Sequence, residues 1–179
     1  MSTALPHNAR IQALHEALGI PGSYSANCGM AFQPECTSLV QTEPDVFGRE
    51  TWMDRQAFAA WQAMQQQAAA AGIQLQIVSA FRSAAYQHDL LRKKLDKGQV
   101  IADILKVNAA PGYSEHHSGC ALDITTPGYQ PLEEEFENSP AFAWLGEHAA
   151  EFGFSMSFPR DNPAGISYEP WHWKFTPQS

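Results

Sequence analysis

The order of apolar and polar positions predicts a chain in which helices and strands are interspersed. Apolar residues recur at helical spacing in five stretches, over 6–19, 51–72, 83–98, 100–105 and 139–153. Period-two or apolar patterns predict strands over 73–77, 121–125, 154–158 and 171–175. Because the order lacks a repeated strand–helix–strand rhythm, we expect an α+β fold, with helices packed around a small antiparallel sheet.

Local signals define several of the predicted helix ends. Ser139 and Pro140 stand in the preferred N-cap and first helical positions. Ser83 is a second N-cap candidate, and Thr51 with Asp54 resembles a capping box. We therefore expect helices to begin close to these three sites.

The segment 20–50 is dense in Gly, Pro, Ser, Asn and Cys, which predicts an irregular arm packed on the domain. No repeat or linker divides the 179 residues, a length typical of one domain. We expect a single domain over 1–179, with an N-terminal helix and arm in 1–50 and the functional core in 51–179.

Charge and composition exclude some classes of partner. The chain has 19 acidic and 11 basic residues, a formal net charge of −8. Duplex nucleic acid and anionic membrane surfaces need a basic footprint, so neither is an expected partner. The N-terminus lacks the pattern of a signal peptide, which predicts a cytoplasmic protein if Met1 is the native start, and a periplasmic one if an export signal was removed.

The three cysteines, Cys28, Cys36 and Cys120, do not form a disulfide framework. Free thiols are the favoured interpretation, with a Cys28–Cys36 pair as the alternative in an oxidising compartment. The sequence contains no CxxC motif, so it does not predict a zinc site with thiolate ligands.

Two histidines precede the predicted strand 121–125, in the segment SEHHSGCALD at 114–123. Strand alternation places Asp123 on the face opposite Leu122, so a histidine from the preceding turn can meet its carboxylate at one metal ion. Either His116 or His117 could be that ligand. The alternative is a polar loop with solvated histidines.

A second cluster, EPWHWKF, occupies 169–175. Alternation places His172 and Lys174 on one face, with three aromatic residues on the other. Pro170 disfavours a helical Glu169, so Glu169 and His172 lie across a bend. A carboxylate beside a metal-bound histidine suits the role of general base in hydrolysis, although a lone histidine is more often structural.

Together with the segment SAFRSAAYQ at 79–87, these motifs resemble the VanY-type zinc D-alanyl-D-alanine carboxypeptidases. That family belongs to a wider group with lysostaphin-type peptidases and the hedgehog signalling domain. GISYEPWHWKF at 165–175 and WLGEHAAEFGF at 144–154 add to the match. The resemblance covers 79–175 and implies a hedgehog/D-Ala-D-Ala peptidase-like fold with its zinc peptidase core in 51–179.

The resemblance implies a role for each matching residue. One Zn2+ ion would be bound by His116, Asp123 and His172. Glu169 would be the general base and Arg82 would stabilise the transition state. Ser114 and Gln87 fall where the family positions its substrate.

The implied activity is removal of a C-terminal D-Ala from a peptidoglycan stem peptide or muropeptide. Either L,D cleavage of a tetrapeptide or D,D cleavage of a pentapeptide fits, with a lean toward L,D cleavage in muropeptide recycling. The alternatives are an endolysin-type endopeptidase and an inactive, zinc-stabilised binding module. The sequence leaves the oligomeric state open.

Overall fold

A computed structural model describes residues 7–177. The helices within this range are α1 (His7–Leu18), α2 (Tyr24–Asn27), α3 (Arg55–Ala70), α4 (Ala84–Asp96), α5 (Ile101–Val107) and α6 (Pro140–His148). The strands are β1 (Leu39–Gln41), β2 (Trp52–Asp54), β3 (Gln76–Ser79), β4 (Ala121–Thr125), β5 (Phe154–Met156) and β6 (His172–Phe175). Short 3-10 helices cover Glu115–Ser118, Glu134–Asn138 and Ala149–Phe152. None of the helices in residues 7–177 is long and apolar enough to cross a membrane.

Four strands form an antiparallel sheet in the order β3-β4-β6-β5. In this sheet Asp123 of β4 lies opposite Ser79 of β3 and His172 of β6. Strands β1 and β2 form a separate two-stranded sheet. The predicted α+β class, with helices around a small antiparallel sheet, is confirmed.

The main core packs α3 and α6 against one face of the four-stranded sheet. Its largest fully buried side chains include Trp61, Met64, Leu122, Ile124 and Phe154. Burying side chains of this size stabilises the fold by about 1.5–3 kcal/mol each. The alternation predicted for β4 is confirmed, because Leu122 and Ile124 enter this core whereas Asp123 faces the opposite side.

A second, smaller core lies where α1 packs against α4. It buries Leu18, Ile20, Leu91, Ile104 and Ala110. The N-terminal helix and the start of the arm are therefore part of the hydrophobic interior. The first residue of the predicted helix, residue 6, lies outside the described part of the chain.

The capping box predicted at Thr51 and Asp54 is wrong. The residues just before α3 form strand β2, and Asp54 is itself the N-cap, accepting hydrogen bonds from the N–H groups of Gln56 and Ala57. The Thr51 hydroxyl instead donates to the carbonyl of Glu43 in the arm. Thr51 therefore matches the sequence pattern of a helix start although its hydroxyl contacts the arm.

Three strands differ from their predicted bounds, and β6 differs only in beginning at His172 rather than at 171. β3 covers Gln76–Ser79 rather than 73–77, because the N–H of Ile73 donates to Ala68 and belongs to the turn that closes α3. β5 ends at Met156 rather than at 158. The side-chain alternation was identified correctly, but pairing with the neighbouring strand begins and ends elsewhere.

Three helices also differ from the prediction in detail, of which α5 covers Ile101–Val107 rather than 100–105. α6 ends at His148, and Ala149–Phe152 continues as a 3-10 turn up to Gly153. In α4, Ser83 is the N-cap as predicted. The helical spacing of apolar residues predicts that Tyr86 is on the buried face with Leu91, but Tyr86 is 48% exposed. Gln87 takes the buried position instead.

The arm is largely irregular, as predicted, but it also contributes α2 and β1. Its backbone runs beside the segment 112–117, with the Gln33 N–H donating to the Gly112 carbonyl and the Cys36 N–H to the His117 carbonyl. Glu35 accepts a hydrogen bond of 2.7 Å from the N–H of Ala84 at the start of α4. These bonds join the arm to the two segments that carry His116 and Arg82. The three cysteines are free thiols.

Candidate active site

Three of the predicted residues form a buried cluster on the open face of the sheet. His116, Asp123 and His172 each offer one ligand atom, and these atoms lie within 4.8 Å of one another. Asp123 and His172 face each other across β4 and β6, and His116 arrives from the 3-10 helix before β4. Imidazole nitrogen and carboxylate oxygen are both zinc ligands, so the donor set suits a zinc ion.

The orientation of His116 is set by the backbone of the segment after β3. Its Nδ1 donates to the Ala80 carbonyl at 2.7 Å, so its Nε2 carries a lone pair. This Nε2 is buried, lies 3.3 Å from Asp123 Oδ2 and makes no hydrogen bond. Two acceptor atoms at this distance repel each other unless a cation lies between them. The contact therefore fits a metal site.

His117 was the alternative ligand, and the structure places it outside the cluster. Its Nδ1 donates to the Arg82 carbonyl at 2.5 Å, and its Nε2 accepts from the Gly112 N–H at 3.0 Å. Both ring nitrogens therefore hold backbone segments together. His117 is fully buried and ties the loop 112–117 to Arg82.

His172 lies between two carboxylates. Its Nδ1 is 3.0 Å from Asp123 Oδ1 and its Nε2 is 2.9 Å from Glu115 Oε2. Glu115 also accepts from the Ser157 hydroxyl at 2.6 Å and lies 3.3 Å from Lys174 Nζ. Sequence reasoning missed Glu115. The available signal was the predicted shared face of His172 and Lys174, which calls for an acidic partner.

The charge state of each cluster member follows from burial and neighbours. Burial and the nearby Arg82 lower the pKa of His116 to about 4, so this ring is neutral. Burial opposes ionisation of Asp123, but His116 and His172 outweigh it and hold the pKa of this carboxyl well below its ordinary range. Burial also disfavours charge on His172, but hydrogen bonds to Asp123 and Glu115 raise its pKa to about 10.

Glu169 lies beside the cluster. Its Oε2 is 3.8 Å from His172 Nδ1, and its side chain is 15% exposed. The predicted bend is present, because the His172 N–H donates to the Glu169 carbonyl and closes a turn with Pro170 in its second position. Burial raises the pKa of Glu169 to about 7, in the range where a carboxylate exchanges protons at neutral pH.

The remaining predicted residues line a cavity of about 40 Å³ next to the cluster, which Arg82, Gln87 and Ser114 border together with Glu169. Arg82 Nε and Gln87 Oε1 are buried without a hydrogen-bond partner. The Gln87 amide nitrogen donates to the Ala109 carbonyl at 2.8 Å, which leaves its oxygen as the free acceptor. Unpaired buried polar atoms are costly, so these two point to a polar ligand.

The guanidinium of Arg82 is influenced by the charges of Asp123 and Glu169. Burial lowers the pKa of Arg82, and these two carboxylates counteract that shift. Its backbone N–H donates to the His116 carbonyl at 3.2 Å. Arg82 is therefore fixed to the loop that carries His116.

A larger open cleft of about 800 Å³ lies beside α1, lined in part by Ile11, His15, Phe32 and Tyr113. It contains none of the cluster residues. We therefore place the candidate site in the smaller cavity, where the titratable groups converge.

A buried two-histidine, one-carboxylate donor set with a separate carboxylate beside it defines a candidate site of the metallopeptidase class. The chain belongs to the D-alanyl-D-alanine carboxypeptidase (VanY) family, whose model matches residues 50–178. The match covers the cluster, Glu169, Arg82, Gln87 and Ser114, and it confirms the resemblance seen in the sequence.

A D-alanyl-D-alanine carboxypeptidase of Enterococcus faecalis strain V583 is 30% identical over 118 residues. The aligned region covers 60% of this chain and 42% of that relative. The chain thus spans less than half the length of this relative.

Solved structures support the fold. The LD-carboxypeptidase LdcB has a TM-score of 0.70 at 26% identity, covering 79% of this chain and 69% of that one. A mutant of the vancomycin resistance D,D-pentapeptidase VanY in complex with Zn(II) has a TM-score of 0.60 at 25% identity. That match covers 83% of this chain and 87% of the other. Both structures cover more than three quarters of this chain.

Proposed function

We propose that this protein is a zinc-dependent carboxypeptidase that removes the C-terminal D-Ala from peptidoglycan stem peptides. The observation that carries the proposal is the buried cluster of His116, Asp123 and His172 with Glu169 beside it. The family match and the zinc-containing VanY neighbour support this assignment.

Zinc is the ion that fits the cluster. The lone pair of His116 Nε2 faces an ionised carboxylate oxygen 3.3 Å away, a contact that a cation would turn from repulsive to attractive. His116, Asp123 and His172 would hold the ion and leave a fourth position open. When bound, zinc polarises a carbonyl and makes a coordinated water more acidic.

Glu169 is the proposed general base. Its carboxylate lies beside the cluster rather than in it, so it is free to accept a proton from the attacking water. The same carboxyl then returns the proton to the amine of the leaving D-Ala. Its raised pKa suits both transfers, because the carboxyl takes up and releases a proton near neutral pH.

Arg82, Gln87 and Ser114 are the proposed substrate contacts. The unpaired Nε of Arg82 can donate to the oxyanion that develops at the scissile carbonyl, or to the terminal carboxylate. The free oxygen of Gln87 accepts an N–H from the peptide. Ser114 is buried at the cavity wall, where its hydroxyl can orient the same peptide.

Within this activity we favour L,D cleavage of a tetrapeptide over D,D cleavage of a pentapeptide. The structural similarity to LdcB, an LD-carboxypeptidase with a TM-score of 0.70, supports this choice. A cytoplasmic role in muropeptide recycling stays a prediction that goes with it.

The deciding experiment uses defined tetrapeptide and pentapeptide muropeptides, with and without a zinc chelator. Products are identified by mass spectrometry, and the Glu169→Ala variant is the matched control for contaminating peptidases. We expect loss of one alanine from the tetrapeptide, abolished by the chelator and restored by zinc.

Each other result points to a different function. Loss of one alanine from the pentapeptide alone would replace L,D with D,D specificity. Cuts inside the stem would identify an endopeptidase. Stoichiometric zinc binding with no cleavage of either substrate would favour a zinc-stabilised binding module.

A further inference from the structure

Glu115 joins the two motifs that carry the histidines of the cluster. It directly precedes His116 in the chain, yet its carboxylate contacts the other histidine, with Oε2 2.9 Å from His172 Nε2. The same oxygen accepts from the Ser157 hydroxyl, and Oε1 lies 3.3 Å from Lys174 Nζ. The carboxylate is thus held from three sides, and its side chain is only 17% exposed.

A carboxylate in this position determines which nitrogen of His172 can bind a metal. An ionised carboxylate only accepts hydrogen bonds, so the Nε2 that faces Glu115 carries the proton. In the neutral ring the lone pair is then on Nδ1, which is the nitrogen that faces Asp123 at 3.0 Å. The opposite tautomer would leave a lone pair against the Glu115 carboxylate with no cation there, whereas a metal ion bound by Nδ1 and Asp123 removes the same conflict on the other side of the ring.

We propose that Glu115 is a positioning residue that holds His172 in the tautomer and ring orientation needed to bind a metal ion through Nδ1. The inference rests on the proposed zinc site, and it assigns a function to a residue outside that site's ligand set. Carboxylates that orient a ligating histidine typically strengthen metal binding about 10- to 100-fold.

The neighbours of Glu115 support this role. Lys174 follows His172 by two residues on the same strand, so both side chains lie on one face and meet the carboxylate together. Ser157 follows β5, the strand paired with β6. The acceptor is therefore anchored to the same part of the sheet as the ring that it orients.

The first test compares zinc affinity in four variants, by competition with a chromophoric chelator. We expect Glu115→Ala to bind zinc about 10- to 100-fold more weakly than the wild type. Glu115→Gln keeps an acceptor oxygen of the same reach, so we expect it to recover part of that loss.

The matched controls are Glu43→Ala and Glu43→Gln. Glu43 is also half-buried and accepts two side-chain hydrogen bonds, from Trp61 and Gln65, but it lies outside the cluster. We expect zinc affinity to be unchanged in both controls. Thermal unfolding of the metal-free proteins separates a general loss of stability from a specific loss of metal binding.

The second test needs no variant and observes the tautomer directly. Long-range 1H–15N NMR of the zinc-loaded wild type should show the proton of His172 on Nε2 and a metal-shifted Nδ1. A proton on Nδ1 would overturn the proposal, even if Glu115→Ala fails to fold.

The outcomes distinguish this inference from the proposed function. A wild type that binds no zinc would refute the zinc site and the positioning role with it. Stoichiometric zinc in the wild type with equal affinity in Glu115→Ala would refute only the role of Glu115. Weakened binding in Glu115→Ala, partly rescued in Glu115→Gln, together with the Nε2–H tautomer, would support it.

Discussion

At the residue scale, two adjacent histidines with the same burial have different tasks. His116 presents an unpaired nitrogen to Asp123, whereas both nitrogens of His117 are occupied by backbone groups. The sequence alone left both open as ligands. The difference depends on which carbonyl lies beside each ring, and the spacing of a motif does not contain that information.

A pair of alanine variants tests this division. His116→Ala should lose its metal, whereas His117→Ala should keep stoichiometric zinc. His117→Ala should instead be less stable, because it leaves the Gly112 N–H buried without a partner, at about 1–3 kcal/mol, and also removes the partner of the part-buried Arg82 carbonyl. Metal analysis and urea unfolding of both variants measure the two effects, and zinc loss in His117→Ala would reverse the assignment.

Glu169 gives a second prediction at this scale. Glu169→Ala should retain zinc, because the ligand atoms belong to other residues. Its turnover should fall about 10²- to 10⁴-fold, the usual contribution of a positioned base. Elemental analysis measures the retained zinc, and single-turnover kinetics measure the loss of turnover. A fully active variant would exclude Glu169 as the base.

At the element scale, the positions of helices followed from the sequence better than the positions of strand ends. Ser83 and Ser139 both accept a hydrogen bond from the third residue after them, as local capping chemistry predicts. The bounds of β3 and β5 depend on pairing with strands distant in the chain. The small sheet of β1 and β2 was missed for a different reason. Each of these strands has only three residues, which is too few for a periodic pattern.

Gly119, in the motif that carries His116 and Asp123, lies in close contact with the start of α3. It ends the 3-10 helix with φ of +69°, and an added Cβ would lie 2.7 Å from the backbone nitrogen of Asp54. The glycine therefore allows close contact between the loop of His116 and the start of α3.

We expect Gly119→Ala to be destabilised more than Gly72→Ala. Gly72 has a similar φ of +76° but no neighbour within 4 Å, so its variant carries only the left-handed backbone penalty of about 1 kcal/mol. Gly119→Ala adds the clash with backbone. Urea unfolding of the two variants gives the difference, and equal losses would mean that the Asp54 contact relaxes at no cost.

At the scale of the whole molecule, a metal ion would link the sheet to the loop before β4. Ligand binding stabilises the folded state in proportion to the logarithm of ligand excess, about 2.7 kcal/mol at a free zinc concentration 100 times Kd. For a chain of this size that corresponds to a rise in Tm of roughly 5–11 °C. A calorimetric scan with and without zinc should show the rise in the wild type but not in His116→Ala. An equal rise in both would place the stabilising ion elsewhere.

The fold class and the members of the cluster could be predicted, because motifs and alternation are local properties of the chain. Glu115 was missed, because the predicted shared face of His172 and Lys174 calls for an acidic partner but does not say which acidic residue supplies it. Its partner His172 is 57 residues away, and only the antiparallel pairing of β4 with β6 brings them together. Residues that support a site from a distance in the chain become visible only when the strand order is known.

The contacts of the arm limit where the chain can be truncated without loosening the site. The family match begins at residue 50, yet the bonds from Gln33 and Cys36 to the loop of His116, and the pairing of β1 with β2, lie across that boundary. A fragment trimmed to the region of similarity would lose the arm whose hydrogen bonds hold the segment 112–117 in place. The region of family similarity is therefore smaller than the set of segments that hold the site together.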